Sequence, residues 1–94
     1  MNKIISNKNT IEALLFFSGE PVDFDKIKKG LKINDTELRE VIDELKRDYE
    51  GRGVNILEFE DTVEMVTSPD TAEFLSDFVK SELQEDLSQA ALET

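Results

Sequence analysis

The side chains that could carry chemistry in this chain are almost all carboxylates. The 94 residues include 22 Asp and Glu, but no Cys and no His. Thiol nucleophiles, disulfides and zinc clusters are therefore excluded, and the commonest general base near pH 7 is absent. A catalytic carboxylate pair needs a cleft that raises the pKa of one partner, and so small a domain rarely encloses one. We therefore expect no catalytic residue, no cofactor and no enzymatic activity.

The acidic residues also raise the question of a metal site. A calcium loop requires the spacing D-x-[DN]-x-[DN]-G, and no segment of this chain matches it. We therefore interpret the candidate carboxylates as solvated side chains of strands and turns, and we expect no metal. These candidates are Glu58, Glu60, Asp61 and Glu64, together with Asp23 and Asp25.

The charge is distributed unevenly along the chain. The net charge is −11, but residues 1–34 carry six Lys against four acids (+2), whereas residues 68–94 carry one Lys against seven acids (−6). A run of lysines on a helix is usually a solvated face; contact with phosphates and docking of an acidic partner are the alternatives. The one basic cluster of this chain consists of Lys26, Lys28, Lys29 and Lys32.

Hydrophobic spacing predicts two helices near the N-terminus. The first covers residues 6–18 and ends at Gly19, with a core stripe of Ile11, Leu14 and Leu15. Pro21 prevents its continuation, because proline lacks an N–H and clashes with the preceding turn. Asp23 is a suitable N-cap for a short second helix, which carries Phe24, Ile27 and Leu31 and ends at Gly30 and Lys32.

The third predicted helix begins with a capping box. Asn34 and Glu37 are three residues apart, so each side chain satisfies an N–H that the first turn leaves free. The helix ends at Gly51, and its apolar stripe consists of Leu38, Val41, Ile42, Leu45 and Tyr49.

The second half of the chain is predicted to contain a hairpin and a further helix. Residues 54–59 and 63–67 are rich in β-formers, with Glu60, Asp61 and Thr62 at the turn. Ser68 and Pro69 start the next helix, which we expect to bury a stripe of Ala72, Leu75, Phe78 and Val79, widened by Phe74.

This order of elements is that of a winged helix-turn-helix, an α+β fold that is mainly α, with three helices, a two-stranded wing and a C-terminal helix. We assign residues 1–80 to this domain and residues 81–87 to a linker. Ser88 is a possible N-cap, so we expect residues 88–94 to begin a second winged-helix domain. No segment resembles a signal peptide or a membrane span, and we expect a cytoplasmic protein.

The charges argue against DNA reading by the third helix. Six carboxylates and only three bases occupy its outward positions, and the acids would repel a phosphate array. The wing tip is acidic too, where a minor-groove wing would carry Arg or Lys. A DNA-binding transcription regulator is therefore the second hypothesis. The outward positions are Asp35, Glu37, Arg39, Glu40, Asp43, Glu44, Lys46, Arg47 and Glu50.

Apolar residues also fall on faces that a monomer should leave wet. Phe16 and Phe17 are about 100° apart on a helix, so they cannot both join the core stripe. In the hairpin, Leu57 and Phe59 point away from Val54 and Ile56. A small domain that wraps both faces is one explanation, and burial against another chain is the other. Our candidate dimer or partner interface is Ile4, Ile5, Phe16, Phe17, Leu57 and Phe59.

Three segments resemble the bacterial segregation and condensation protein B family. Residues 11–22 (IEALLFFSGEPV) resemble its opening, and residues 49–54 (YEGRGV) resemble its passage from the third helix into the wing. Residues 87–94 (LSQAALET) look like the start of its second winged-helix domain. The wing turn departs from the family, which often has Gly where this chain has Asp61 and Thr62.

The resemblance implies a non-catalytic accessory subunit of the bacterial SMC–kleisin complex, which condenses and segregates chromosomes. It implies a homodimer formed largely through this first domain and associated with the nucleoid. It also implies binding to the central part of the kleisin subunit, segregation and condensation protein A, and through it to the SMC ATPase. We expect no sequence-specific DNA binding by this domain. A dimerisation module of an unrelated complex is the third hypothesis.

Overall fold

The computed structural model describes the backbone of residues 6–93 and the side chains of residues 6–83. Ile4 and Ile5 therefore lie outside the described residues. The elements in chain order are α1 (Asn7–Ser18), β1 (Val22–Asp23), α2 (Phe24–Leu31), α3 (Asp35–Asp48), β2 (Val54–Phe59), β3 (Thr62–Thr67), a 3-10 turn (Pro69–Thr71) and α4 (Ala72–Glu93).

The helix ends follow from local sequence. The Ser6 side chain caps α1 by accepting a hydrogen bond from the Asn9 N–H, and Gly19 ends α1 at φ 67°. At α3 the capping box is confirmed, because Asn34 Oδ1 accepts from the Glu37 N–H at 2.8 Å and Glu37 Oε1 accepts from the Asn34 N–H at 3.2 Å. Helix α2 ends with Lys32 in the left-handed conformation, at φ 57°.

The sheet has three antiparallel strands in the order β1-β3-β2. The predicted hairpin is present, with Phe59 opposite Thr62, so the turn has two residues and Thr62 belongs to β3. Glu60 lies at φ 54°, the sign that the first turn residue of a primed two-residue hairpin requires. The third strand, β1, was not predicted, because two residues are too few to display a period.

Within residues 6–83, eight apolar side chains form the core between the helices and the sheet. They come from α1, α2, α3 and the two wing strands, and they are Ile11, Leu15, Ile27, Leu38, Ile42, Leu45, Ile56 and Val63. Val41 and Tyr49 pack against this core from the side. Leu14, expected in the core stripe of α1, is 37% exposed instead.

Helix α4 differs from its prediction. Phe74, Phe78 and Val79 are each more than half exposed, and Leu75 is only partly buried. Periodicity established an amphipathic helix correctly, but it does not say what covers the apolar face. Among the described residues, α4 packs extensively only on the 3-10 turn before it, so its stripe stays open.

The backbone of α4 is helical through residues 81–87, which we predicted as a linker. Ser88 lies within this helix and not at an N-terminus. The division of the chain into a first domain, a linker and the start of a second domain stays a prediction. No helix in the described part of the chain is both long and apolar enough to cross a bilayer.

Candidate interaction surfaces

Two cations of α3, Arg39 and Lys46, bind a carboxylate of the wing. Arg39 forms two parallel hydrogen bonds to Glu58 of β2, with Nη1 to Oε1 at 2.8 Å and Nη2 to Oε2 at 2.7 Å. Lys46 donates to the same carboxylate at 2.6 Å. Arg39 also lies over the Phe24 ring, 5.8 Å from its centroid, and pairs with Asp43 at 3.3 Å. Two of the three bases on this helix are therefore engaged within the domain.

This cluster changes the titration of its members. The Arg39 guanidinium, supported by Lys46, lowers the pKa of Glu58 to about 2, against the desolvation that would raise it. Glu58 in turn raises the pKa of Arg39. Because Glu58 shares the inner face of β2 with buried Ile56, its side chain is only 17% exposed. The cluster fastens the wing to α3 through a paired carboxylate.

We expect the Glu58 cluster to make the domain acid-sensitive. A carboxylate whose pKa is depressed by folding stabilises the fold fully above its unfolded pKa, near 4.5, and this stabilisation is lost as pH falls towards about 2. Because Arg39 and Lys46 are partly solvated, we expect Glu58→Gln to cost about 1–2 kcal/mol at pH 7. Urea unfolding at pH 7 and pH 2.5 measures this cost.

The matched control is Glu64→Gln on β3, because Glu64 forms no ion pair within the part of the chain that the structure describes. The difference between the Glu58→Gln variant and the unmodified chain should shrink strongly at pH 2.5. A difference that is equal at both pH values would contradict the role given to this carboxylate.

The lysine cluster on α2 is partly paired as well. Lys28 contacts Asp25 at 3.2 Å and Asp35 at 2.5 Å, and these hydrogen bonds raise its pKa. Lys26, Lys29 and Lys32 are exposed. Lys28 also lines a cleft of about 640 Å³ between the helix-turn-helix and the wing tip, and acidic residues dominate its rim. They are Asp25, Asp35, Glu40, Glu60 and Asp61.

Four of the predicted interface residues are exposed, as their spacing indicated. Phe16 is 78% and Phe17 88% exposed on α1, while Leu57 is 48% and Phe59 67% exposed on β2. We call Leu14, Phe16 and Phe17 the α1 face, and Leu57 and Phe59 the wing face. Their assignment to a dimer or partner interface stays a prediction.

The two faces lie at different ends of the hairpin. Phe16 contributes to a pocket with Val54 and Met65, at the base of the strands. Phe59 is five residues along β2, about 16 Å from Val54 at the usual rise of a strand. Whether the two faces belong to one interface or to two stays a prediction.

Sequence reasoning missed one further feature and misjudged the burial of another. The pocket beside Phe16 is also lined by Gly19, Val66 and Thr67, which no periodic signal marked. A third apolar surface is the α4 stripe, defined as Phe74, Phe78, Val79 and Leu83. The rings of Phe74 and Phe78 stack with centroids 6.0 Å apart. The spacing had predicted Phe74, Phe78 and Val79 as part of a buried stripe, and it had placed Leu83 in the linker.

The arrangement is that of a winged-helix domain whose reading helix is acidic and whose apolar side chains remain exposed on several faces. The family model described as "Segregation and condensation complex subunit ScpB" matches residues 9–94. The chain belongs to this family.

Curated relatives agree over almost the whole chain. Segregation and condensation protein B of Clostridium tetani is 35% identical and matches all of this chain and 54% of its own length. The protein of the same name from Caldanaerobacter subterraneus subsp. tengcongensis is 36% identical over 95% of this chain and 54% of its own. The chain thus spans about half the length of the curated relatives it matches.

Two solved structures resemble the fold. A crystal structure of a dimer of the ScpB N-terminal domain complexed with an ScpA peptide matches with a TM-score of 0.68 and 30% identity, over 76% of this chain and 91% of that one. A conserved hypothetical protein from Chlorobium tepidum matches with a TM-score of 0.69 and 31% identity, over 92% of this chain and 56% of that one. The winged helix-turn-helix prediction is confirmed.

Proposed function

We propose that this chain is the dimerising, kleisin-binding part of a non-catalytic subunit of an SMC–kleisin complex, acting in chromosome condensation and segregation in the cytoplasm at the nucleoid. Its partners are a second copy of itself and the kleisin, segregation and condensation protein A. Through the kleisin it is linked to the SMC ATPase, where the nucleotide chemistry takes place.

The observation that carries this proposal is the state of the winged helix's usual reading surface. Glu58 engages Arg39 and Lys46, and the cleft beside them is rimmed by acids. A DNA duplex would have to break these pairs and approach a chain of net charge −11. A polypeptide presents no continuous array of phosphates and can dock through an uncharged or apolar segment, so it avoids this barrier.

The exposed apolar faces give this interpretation a positive basis. In the monomer, Phe16, Phe17 and Phe59 expose apolar surface to solvent. A protein partner would bury this surface. A similar N-terminal domain is described as a dimer complexed with an ScpA peptide. Both contacts are protein–protein contacts, and neither requires a catalytic group.

As a mechanism, we propose that the first domains hold two chains together and contact the kleisin, and that the second domains of the complete protein then grip one kleisin segment asymmetrically. This role requires a rigid scaffold. The Glu58 cluster supplies part of that rigidity, because it joins the wing to α3 and, through Arg39 and Phe24, to α2.

Analytical ultracentrifugation tests the proposal. We expect the chain alone to sediment as a dimer, and we expect a heavier complex after addition of the purified segregation and condensation protein A encoded by the same genome. The kleisin should be added as a full chain, with an unrelated acidic protein as control. Monomeric behaviour at high concentration, or no complex with this kleisin, would contradict the proposal.

A further inference from the structure

An uncharged pocket lies between the last turn of α1 and the base of the wing. Its volume is about 180 Å³, and its lining includes Phe16 and Gly19 of α1, Val54 of β2, and Met65, Val66 and Thr67 of β3. An apolar cavity of about 150 Å³ holds a benzene molecule. The pocket is therefore large enough for one phenyl ring.

The exposed ring of Phe17 lies next to this pocket along α1. Phe17 is 88% exposed, the highest value among the large apolar side chains that the structure describes. It follows Phe16, which forms a wall of the pocket, and the two side chains point about 100° apart on the helix. Phe17 thus points away from the pocket of its own chain and is free to enter that of another.

Charge decides which kind of chain can approach here. A second copy brings a further charge of −11, so two copies meet most readily where neither carries charge. Every residue lining this pocket is uncharged. In residues 9–19 the only charged side chain is Glu12, and it accepts a hydrogen bond from the Tyr49 hydroxyl on α3.

The other open surfaces fit a second copy less well. The cleft between the helix-turn-helix and the wing tip is lined by five carboxylates, so two copies that met there would repel each other. The α4 stripe lies among Glu73, Asp77 and Glu82, with Lys80 as the only base in residues 68–94.

On the wing face, Leu57 is paired with Glu64 across the strands, and Phe59 is followed by Glu60 and Asp61. The α1 face is therefore the apolar surface at which self-association carries the smallest electrostatic cost.

We propose that Phe17 of each protomer inserts into the pocket of the other, which makes a two-fold contact in which each α1 supplies both a ring and a pocket wall. In a two-fold interface the same patch serves both copies, so one ring and one pocket on each chain close the contact. This assignment rests on the proposed dimerisation and specifies where it occurs.

The available area suits such an interface. The exposed parts of Leu14, Phe16 and Phe17 amount to roughly 400 Å² of apolar surface on each copy. A standard interface buries about 800 Å² on each partner, and a little over half of it is apolar. The α1 face can therefore supply most of the apolar share.

Cysteine cross-linking tests the contact, and the chain has no native Cys to interfere. The Phe17→Cys and Val66→Cys variants are mixed and mildly oxidised. One variant carries a tag, so that the mixed disulfide and the two same-variant disulfides differ in size. Because thiols bridge only where their Cβ atoms approach to about 4.5 Å, we expect the mixed disulfide in about tenfold excess over either like pair. Phe17→Cys mixed with Phe74→Cys is the control and should not cross-link.

A second readout avoids oxidation. The chain has no Trp, so a Phe17→Trp variant carries a single reporter. We expect its emission to shift to shorter wavelength as concentration rises through dimerisation, and we expect no such shift from Phe74→Trp.

Sedimentation of the same samples separates the two proposals. If the chain forms a dimer and binds the kleisin but shows neither the mixed disulfide nor the emission shift, the Phe17 contact is wrong and the proposed function stands. If the chain is a monomer throughout, both are wrong.

Discussion

Phe17→Asp is expected to dissociate the dimer, with an increase of at least about 100-fold in the dissociation constant. Two losses add together. The substitution removes an aromatic ring from an apolar pocket, and it places an unpaired carboxylate where water is excluded. Because Phe17 is 88% exposed in the single chain, folding loses little, and the far-UV circular dichroism spectrum should be unchanged. Sedimentation equilibrium measures the constant.

The matched control is Phe74→Asp, since Phe74 is also exposed, at 68%, but lies on α4. It should leave the dimer intact. If both variants dissociate equally, or if Phe17→Asp has no effect on an established dimer, the α1 face is not the dimer interface.

The wing face is tested by Phe59→Asp in the same assay. Phe59 and Phe17 are both exposed, but Phe59 lies at the turn end of β2, whereas Phe17 lies on α1 next to Phe16, which lines a pocket at the base of the strands. Loss of the dimer would assign the wing face to the two-fold contact. Loss of kleisin binding from an intact dimer would assign it to the kleisin. If Phe59→Asp affects neither, the wing face is not a contact of this subunit.

Ile42→Ala is expected to remove about 3 kcal/mol of stability. Ile42 is fully buried at the centre of α3, between α1, α2 and the wing. Its truncation loses the transfer free energy of the removed carbons and leaves a cavity that the surrounding helices cannot close. A domain of this size has a total stability of about 4–12 kcal/mol, so the loss is large. Urea denaturation followed at 222 nm measures it.

Glu40→Ala serves as the control for this substitution, because Glu40 is exposed two residues earlier on the same helix. We expect its effect to stay within about 0.5 kcal/mol. Both variants must be compared at one protein concentration, since dimerisation adds to the apparent stability. Equal unfolding midpoints for the two variants would show that the packing around α3 is not the principal core.

Local signals account for the parts of the fold that could be predicted. The capping box at Asn34 and the glycine end of α1 at Gly19 depend on neighbouring residues, and both are present. The wing strands were visible because residues 54–59 and 63–67 are rich in β-formers. Strand β1 depends instead on the pairing of Val22 with Val63, which are 41 residues apart, and no local pattern encodes this pairing.

Tertiary contacts explain the remaining errors. The spacing of Phe74, Phe78 and Val79 correctly indicates an apolar face, but amphipathicity is the same whether that face meets the core or a partner. The sequence indicated that Phe16 and Phe17 could not both join the core stripe, because adjacent helical residues diverge. The pocket beside them could not be deduced, since α1, β2 and β3 each contribute only part of its wall.

Glu58 joins the wing to α3 and also occupies two cations of the helix that reads DNA in other winged-helix proteins. Sequence reasoning counted it among the acids of the wing, whereas in the structure it shares the inner face with Ile56 and binds Arg39 and Lys46. The same pairs that join the wing to α3 neutralise the cations a nucleic acid would need. In the proposed function, stability of the wing and a preference for polypeptide partners thus have a common origin.

The most direct test is whether this winged helix binds DNA. A labelled DNA duplex is titrated with the protein at low salt and followed by fluorescence anisotropy. Non-specific DNA binders typically have dissociation constants of about 1–100 μM. We predict no saturable rise in anisotropy across this range, from a sample that still binds its kleisin. Micromolar binding that weakens steeply with added salt would contradict the account.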